Sequence, residues 1–250
     1  MPKKFKKLPF LNLKKLIFKL HLKSQQRLVR YLNMKSLNKN SENKYQLKLD
    51  ALIDIMKKTG FLTDRRVEWA IRKVPRHNFL PESLKHRAYE NSPIPLMKKQ
   101  TISQPSVVSR MTEWLDLKEG QKVLEIGSGS GWQSAILAKI VGSGKIFTVE
   151  RHSKLANFAK KNLEKLGIEN VKIIYGDGTL GLPEESPFDR IIITAACKEV
   201  PSALLDQLAL DGLLIAPVGE DIQSLLLLRK TSKGIVEIKN QKGYVFVPLL

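Results

Sequence analysis

Val123-Leu124-Glu125-Ile126-Gly127-Ser128-Gly129-Ser130-Gly131-Trp132 is the stretch on which the reading of this chain turns. A short run of β-formers enters a turn with glycine at every second position, and residues 134–141 then have the composition of a helix. A strand, a glycine turn and a helix in that order open a parallel α/β sheet. Glycine lets the backbone turn tightly and approach a ligand with no Cβ in the way. The spacing is G-x-G-x-G. The third glycine of a dinucleotide fingerprint would fall at position 132, where Trp132 stands. No G-K-[ST] follows to cradle phosphates. The turn therefore suits a nucleoside ligand without a pyrophosphate, and S-adenosylmethionine is such a ligand.

The same rhythm continues outward. Strands are expected over 145–149, 171–175, 190–194 and 213–217, with helices over 155–166 and near 202–209. Alternation of this kind implies a doubly wound, mostly parallel sheet with helices on both faces. The end of the chain breaks it, because 225–228 and 244–247 read as adjacent strands with no helix between. Two acids reinforce the glycine turn. Glu150 closes the second strand, where a carboxylate can accept from both hydroxyls of a ribose. Asp177, in Gly176-Asp177-Gly178, closes the third, where an acid can meet an adenine amino group. Ligands of open α/β sheets sit beyond the carboxyl ends of the strands, so these features converge on one crevice.

Upstream of the sheet, Leu49, Leu52, Ile53 and Met56 share one helical face. A second helix over 64–73 carries Val67, Ala70 and Ile71 and stops before Pro75. A proline-punctuated stretch leads to Gln100-Thr101-Ile102-Ser103-Gln104-Pro105, and Pro105 opens a helix with Ser103 or Gln104 near its N-cap. Charge sets the N-terminus apart. Residues 1–45 hold thirteen Lys/Arg and one acid, Glu42, so they carry +12 of the total +19. The expected organisation is a flexible basic extension over 1–45 and a folded domain over 46–250. Within that domain 46–105 forms a helical and loop cap and 106–250 the cofactor-binding core. The extension reads as a solubilising tail, as a nonspecific contact for polyanions, or as an amphipathic face (Leu11, Leu13, Leu16, Ile17, Leu20, Leu28) for an anionic membrane.

One cysteine, Cys197, excludes an intramolecular disulfide framework and a cysteine-based zinc cluster. His21, His77, His86 and His152 lack metal-ligand spacing, so no metal is expected. Nothing approaches the roughly 20 apolar residues of a membrane span, and the lysine-rich start has no uninterrupted apolar core of an export signal, so the cytoplasm is the expected compartment. Cys197 reads as a packed strand end, and His77 and His86 as structural or solvated. Trp69, Trp114 and Trp132 read as core or pocket wall.

Several further runs carry a family likeness. Val74-Pro75-Arg76-His77, then Phe79, Pro81 and Ala88-Tyr89, precede Gln100-Thr101-Ile102-Ser103-Gln104-Pro105. After the glycine turn come Gly176-Asp177-Gly178, Pro187-Phe188-Asp189 and Ile191-Ile192-Ile193-Thr194-Ala195-Ala196. Pro217-Val218-Gly219 and Phe246-Val247-Pro248-Leu249 complete the series. In this order, over residues 47 to 249, they resemble the protein-L-isoaspartate O-methyltransferases, a family of class I S-adenosylmethionine-dependent enzymes. The glycine turn would fit any class I methyltransferase, whereas the Thr-Ile-Ser and Thr-Ala-Ala segments are particular to this family.

The resemblance implies a Rossmann-like fold and methyl transfer to the α-carboxylate of L-isoaspartyl residues in damaged proteins, with a monomeric enzyme acting on isoaspartyl proteins and peptides. It matches Ser103 to the family's active-site serine. It assigns the cofactor to Thr101, Ile102, Ser103, Glu125, Gly127, Ser128, Gly129, Gly131, Glu150, Asp177, Gly178 and Thr194. Two other readings stay open: a class I methyltransferase turned to another carboxylate or to RNA, and a non-catalytic binding protein that keeps the fold. One departure stands out. Bacterial members usually read Pro-Ile-Gly-x-Gly before the Gln100 position, and here Pro95-Leu96-Met97-Lys98-Lys99 replaces both glycines. If those glycines have positive φ, the loop must follow another path; otherwise the lysines add positive potential beside a carboxylate substrate.

Overall fold

The computed structural model describes residues 41–249. The segment 1–40, most of the expected basic extension and the whole of its amphipathic face, lies outside the described residues. By compactness the chain divides between Lys48 and Leu49. Of the first unit, residues 41–48 are described, as the opening turns of helix α1 (Ser41–Lys58). That helix starts five residues before the expected boundary at 46. Residues 41–46 contain neither Gly nor Pro, so nothing in them stops a helix from extending backwards.

In the second unit, Leu49, Leu52, Ile53 and Met56 are buried together, as their i, i+3, i+4, i+7 spacing demands. Helix α2 (Arg65–Lys73) is capped by Asp64, whose side chain accepts from the Arg66 amide, and it buries Val67, Ala70 and Ile71. Trp69 projects from the opposite side and is 48 % exposed, which corrects its reading as core or pocket wall. Irregular 3-10 turns then lead to a two-residue ladder of β1 (Ile94–Pro95) with β2 (Thr101–Ile102). Helix α3 (Pro105–Trp114) follows with Pro105 in its first turn and Gln104 at the N-cap position. Gln104 makes no side-chain cap; Asn91 does so instead, its Oδ1 accepting from the Ser106 amide at 3.1 Å and the Ser106 hydroxyl at 2.8 Å.

The central sheet has the order β5-β4-β3-β6-β7-β8-β9. Its strands are β3 (Lys122–Ile126), β4 (Lys145–Glu150), β5 (Val171–Tyr175), β6 (Phe188–Ile193), β7 (Leu208–Val218), β8 (Gln223–Thr231) and β9 (Gly234–Tyr244). The first five are parallel and the last two antiparallel, so the expected fold class holds. Helices α4 (Trp132–Val141), α5 (Ser153–Lys165) and α6 (Ser202–Asp206) occupy the crossovers. Val123, Leu124 and Ile126 are all buried, as are Ile191, Ile192 and Ile193, which means β3 and β6 are covered on both faces. Each such side chain contributes roughly 1.5–3 kcal/mol on burial, which makes this strand pair the firmest part of the molecule.

Two expectations shift. The helix expected to reach 209 ends at Asp206, because the Gln207 carbonyl accepts from the Phe188 amide and Leu208 already pairs with β6. The last strand lies about ten residues earlier than expected, as the second arm of a hairpin, while residues 245–249 turn back toward Ala196. There the Ala196 amide donates to Val247 O and the Leu249 amide to Ala196 O, each at 2.7 Å.

Candidate active site

The order of the sheet reverses at β3, which has β4 on one side and β6 on the other, and a cleft of about 670 Å³ opens beyond these strand ends. Its floor is the glycine turn. Gly127 has φ +95, and a Cβ there would come within 2.5 Å of Thr194 Oγ1. The Thr194 hydroxyl lies 2.9 and 2.8 Å from the carbonyl oxygens of Ile126 and Gly127 and donates to them, stitching the end of β6 to the turn. Gly129, at φ +52, faces open space within 4 Å of its Cβ position.

Glu150 forms one wall. It is 5 % exposed, and its carboxylate accepts from the Gly129 amide at 3.0 Å and the His152 amide at 2.9 Å. Each oxygen keeps a further lone pair, so the group is oriented in advance without being saturated. The Ser128 hydroxyl beside it is buried and has no hydrogen-bond partner among the described residues. Ser128 is one of the residues around the cleft, with its hydroxyl itself closed off from solvent. An oriented carboxylate and an open glycine shelf fit a hydroxyl-bearing nucleoside.

The residues read from sequence separate into two sets. Thr101, Ile102, Ser103, Gly127, Ser128, Gly129, Glu150, Gly178 and Thr194 line the cleft together. Glu125, Gly131 and Asp177 do not line it. Glu125 is fully buried beneath the turn, where it accepts from the Ser134 hydroxyl of α4; desolvation, opposed by the Ser134 and Thr148 hydroxyls, raises it to about 7. Gly131 packs its backbone against Ala159 of α5. Asp177 is exposed and caps its own 3-10 turn, accepting from the Thr179 amide at 2.9 Å and hydroxyl at 2.8 Å; these bonds hold it below the usual carboxylate range.

Ser103 also lines the cleft, from the short extended link between β2 and α3. The loop before it is a tight turn. The Gln100 amide donates to Met97 O at 3.2 Å, and the two central residues, Lys98 and Lys99, have φ 60 and 57. Positive φ at both centres is the type I′ pattern, for which Asn-Gly is the favoured sequence. Lys99, at the second of the two glycine positions, therefore takes a glycine-type conformation itself, whereas Met97 does not.

Sequence reasoning missed three contributors. Residues 241–249 wall the cleft, with Phe61 facing it from the helical side; the Phe246-Val247-Pro248-Leu249 motif was visible without any role. Asn91 caps the helix after Ser103 from fifteen residues upstream. Arg76 is buried at 1 % exposure behind the Ser103 segment. Cys197 is buried as expected, and burial raises its thiol to about 11. Among the described residues no group of side chains could hold a metal ion, and no helix is long and apolar enough to cross a membrane.

Comparison with known proteins gives the geometry a context. Residues 47–250 match the family model described as Protein-L-isoaspartate(D-aspartate) O-methyltransferase (PCMT). The chain is 46 % identical over 204 residues to a protein-L-isoaspartate O-methyltransferase of Methanopyrus kandleri, covering 80 % of this chain and 90 % of that one. It is 44 % identical over 200 residues to its Methanococcoides burtonii counterpart, covering 80 % and 98 %. Among solved structures, a Plasmodium falciparum protein of the same description, in complex with S-adenosyl-L-homocysteine, superimposes with a TM-score of 0.72 at 28 % identity, covering 80 % of this chain and 97 % of that chain.

Proposed function

The chain belongs to the protein-L-isoaspartate(D-aspartate) O-methyltransferase family, and we propose how its cleft performs that family's reaction. It transfers a methyl group from S-adenosylmethionine to the α-carboxylate of L-isoaspartyl residues in damaged proteins, which begins their repair. When bound, the cofactor supplies a methyl group already activated on a sulfonium. Glu150 accepts hydrogen bonds from the ribose hydroxyls, and Gly129 gives the ligand room. Glu125 and Thr194 hold the turn in shape from behind. Gly178 closes the adenine end, while Asp177 stands outside the cleft and caps the turn that carries Gly178.

Little proton transfer is asked of the protein, because an isoaspartyl carboxylate is already ionised at neutral pH. The Ser103 hydroxyl and the amides around it orient that carboxylate for in-line attack. Residues 244–249, Phe61 and Trp132 exclude water. Catalysis is thus mainly alignment in a dry site. The observation that carries this reading is an oriented Glu150 carboxylate and Ser103 lining one cleft beyond the ends of the parallel strands. The test is methyl transfer from labelled S-adenosylmethionine to paired peptides that differ only in isoaspartate or aspartate. Base-labile label on the isoaspartyl peptide alone is expected. Equal labelling of both, or labelling of RNA alone, would overturn the assignment.

The body from residue 46 carries this chemistry, a reading supported by the family match beginning at residue 47, and it acts as a monomer in this proposal. The basic segment 1–45 is an accessory that attracts polyanions without sequence preference, through contacts that fade steeply as salt rises. The single unpaired cysteine accords with a cytoplasmic enzyme.

A further inference from the structure

Arg76 is a buried cation with an unusual set of partners. Its guanidinium is 1 % exposed, and among the described residues no carboxylate lies within ion-pair distance of it. Glu90, the nearest acid to influence it, pairs with Arg87 instead. Taking a guanidinium out of water without a counter-ion is costly. Burial lowers this one to about 9, which leaves it charged at neutral pH.

Compensation comes from main-chain carbonyls. Nη1 donates to Ala88 O at 2.7 Å and Glu90 O at 3.3 Å. Nη2 donates to Ser92 O at 3.1 Å, Ile102 O at 3.4 Å and Ser103 O at 2.9 Å. The five acceptors belong to two separate pieces of chain. One, residues 88–92, contains Asn91, which caps α3 just beyond Ser103. The other is the Ile102-Ser103 link itself. The guanidinium also lies over the ring of Trp132 at 5.2 Å, directly after the glycine turn, and Trp132 Nε1 donates to Val74 O at 3.1 Å.

We infer that Arg76 is a positioning residue for methyl transfer: its planar fork sets the height and direction of Ser103 against the glycine turn, and its charge draws the substrate carboxylate toward that end of the cleft. This rests on the reading of Ser103 as the substrate-side group and adds the element that places it. Lysine keeps the charge but cannot span five carbonyls, so Arg76→Lys separates positioning from charge.

The experiment measures S-adenosylhomocysteine affinity by calorimetry and initial rates on an isoaspartyl peptide, for Arg76→Lys, Ser103→Ala and the double variant. Arg76→Lys is expected to lower kcat about 10–100-fold while cofactor affinity stays within about threefold, since a displacement of an ångström at a reacting group costs that much. In the Ser103→Ala background the same change is expected to cost less than about threefold, because the two residues act as one unit. Equal losses of turnover and cofactor affinity, or losses that simply multiply, would make Arg76 structural only and overturn the proposal. Should Arg76→Lys fail to fold, Asn91→Ala loosens the other hold on the same segment and must show the same split; unchanged kcat there is also fatal. If Ser103→Ala keeps full turnover while Arg76→Lys loses it with cofactor affinity intact, the role given to Ser103 fails and the clamp stands, acting on the neighbouring amides.

Discussion

The two ends of the cleft are built on opposite plans. The part that we assign to the cofactor is backbone geometry: a glycine turn between strands buried on both faces, tied down by Thr194 and Glu150. The part that we assign to the substrate is a run of short turns and two-residue strands, 74–104, drawn together by one guanidinium. The difference teaches where each end is vulnerable. Damage to the first should abolish ligand binding or fold stability, and damage to the second should leave the ligand bound and the reaction slow.

The largest effect is expected at Gly127. Gly127→Val places a branched side chain at φ +95 against Thr194 Oγ1. Backbone strain alone costs about 1–3 kcal/mol, with the collision added. Calorimetry should detect no S-adenosylhomocysteine binding; binding of ordinary strength would show that the turn is not the cofactor floor.

Next is Glu125, which sharpens the contrast through pH. Burial holds its carboxyl at about 7, above its ordinary value of 4.5. The folded state therefore keeps a proton that the unfolded chain has lost, so the contribution of this residue to stability is full below pH 4.5 and is lost as pH rises through 7. The decline at this residue is on the order of 3 kcal/mol. Glu125→Gln should flatten the stability profile through that window in denaturant titrations. A variant with the wild-type slope would mean that the proton is held elsewhere.

Glu150→Ala against Ser103→Ala compares the two ends directly. Removing the Glu150 carboxylate strands the Gly129 and His152 amides and the ligand hydroxyls, weakening cofactor binding by about 1–3 kcal/mol. Ser103→Ala should leave that affinity within about twofold and reduce turnover about tenfold or more. Reversal of the pattern would exchange the roles of the two ends.

The same contrast explains what was legible in the sequence. β3 and β6 could be read because strands buried on both faces are unbroken runs of Val, Ile and Leu, and Glu150 because it ends one such strand. β9 could not, since every residue from Gly234 to Gly243 is exposed on an edge and no alternation marks it. Its neighbour β8 was caught only over Leu225 to Leu228, the leucines at its centre, of which Leu225, Leu227 and Leu228 are buried. Arg76 was visible as a motif and silent about its role, because its acceptors are carbonyls 12 to 27 residues downstream and carbonyls have no sequence signature. Asn91 was hidden for a similar reason: it caps a helix whose N-cap position, Gln104, lies thirteen residues away.

The smallest effect, and the finest test of the substrate end, concerns the Lys98-Lys99 turn. An L-residue in the left-handed region costs roughly 1–2 kcal/mol, and this turn holds two in succession. Replacing them with Asn and Gly, the pair a type I′ turn favours, should stabilise the protein by about 1–2 kcal/mol and raise Tm by a few degrees. If strain were the only consequence of the lysines, activity would be unchanged. Their charges, however, stand a few residues from Ser103, on the side of the cleft to which an anionic substrate must come. Removing them should therefore raise KM for an isoaspartyl peptide about two- to threefold at low ionic strength, and the difference should shrink at physiological salt as screening takes over. kcat should not change, because neither lysine lines the cleft. A more stable variant with a higher, salt-sensitive KM would mean that the turn gives up stability in return for attraction. A variant of unchanged stability would mean that the left-handed pair carries no strain worth relieving, and a KM that does not move with salt would leave the lysines without a part in substrate capture.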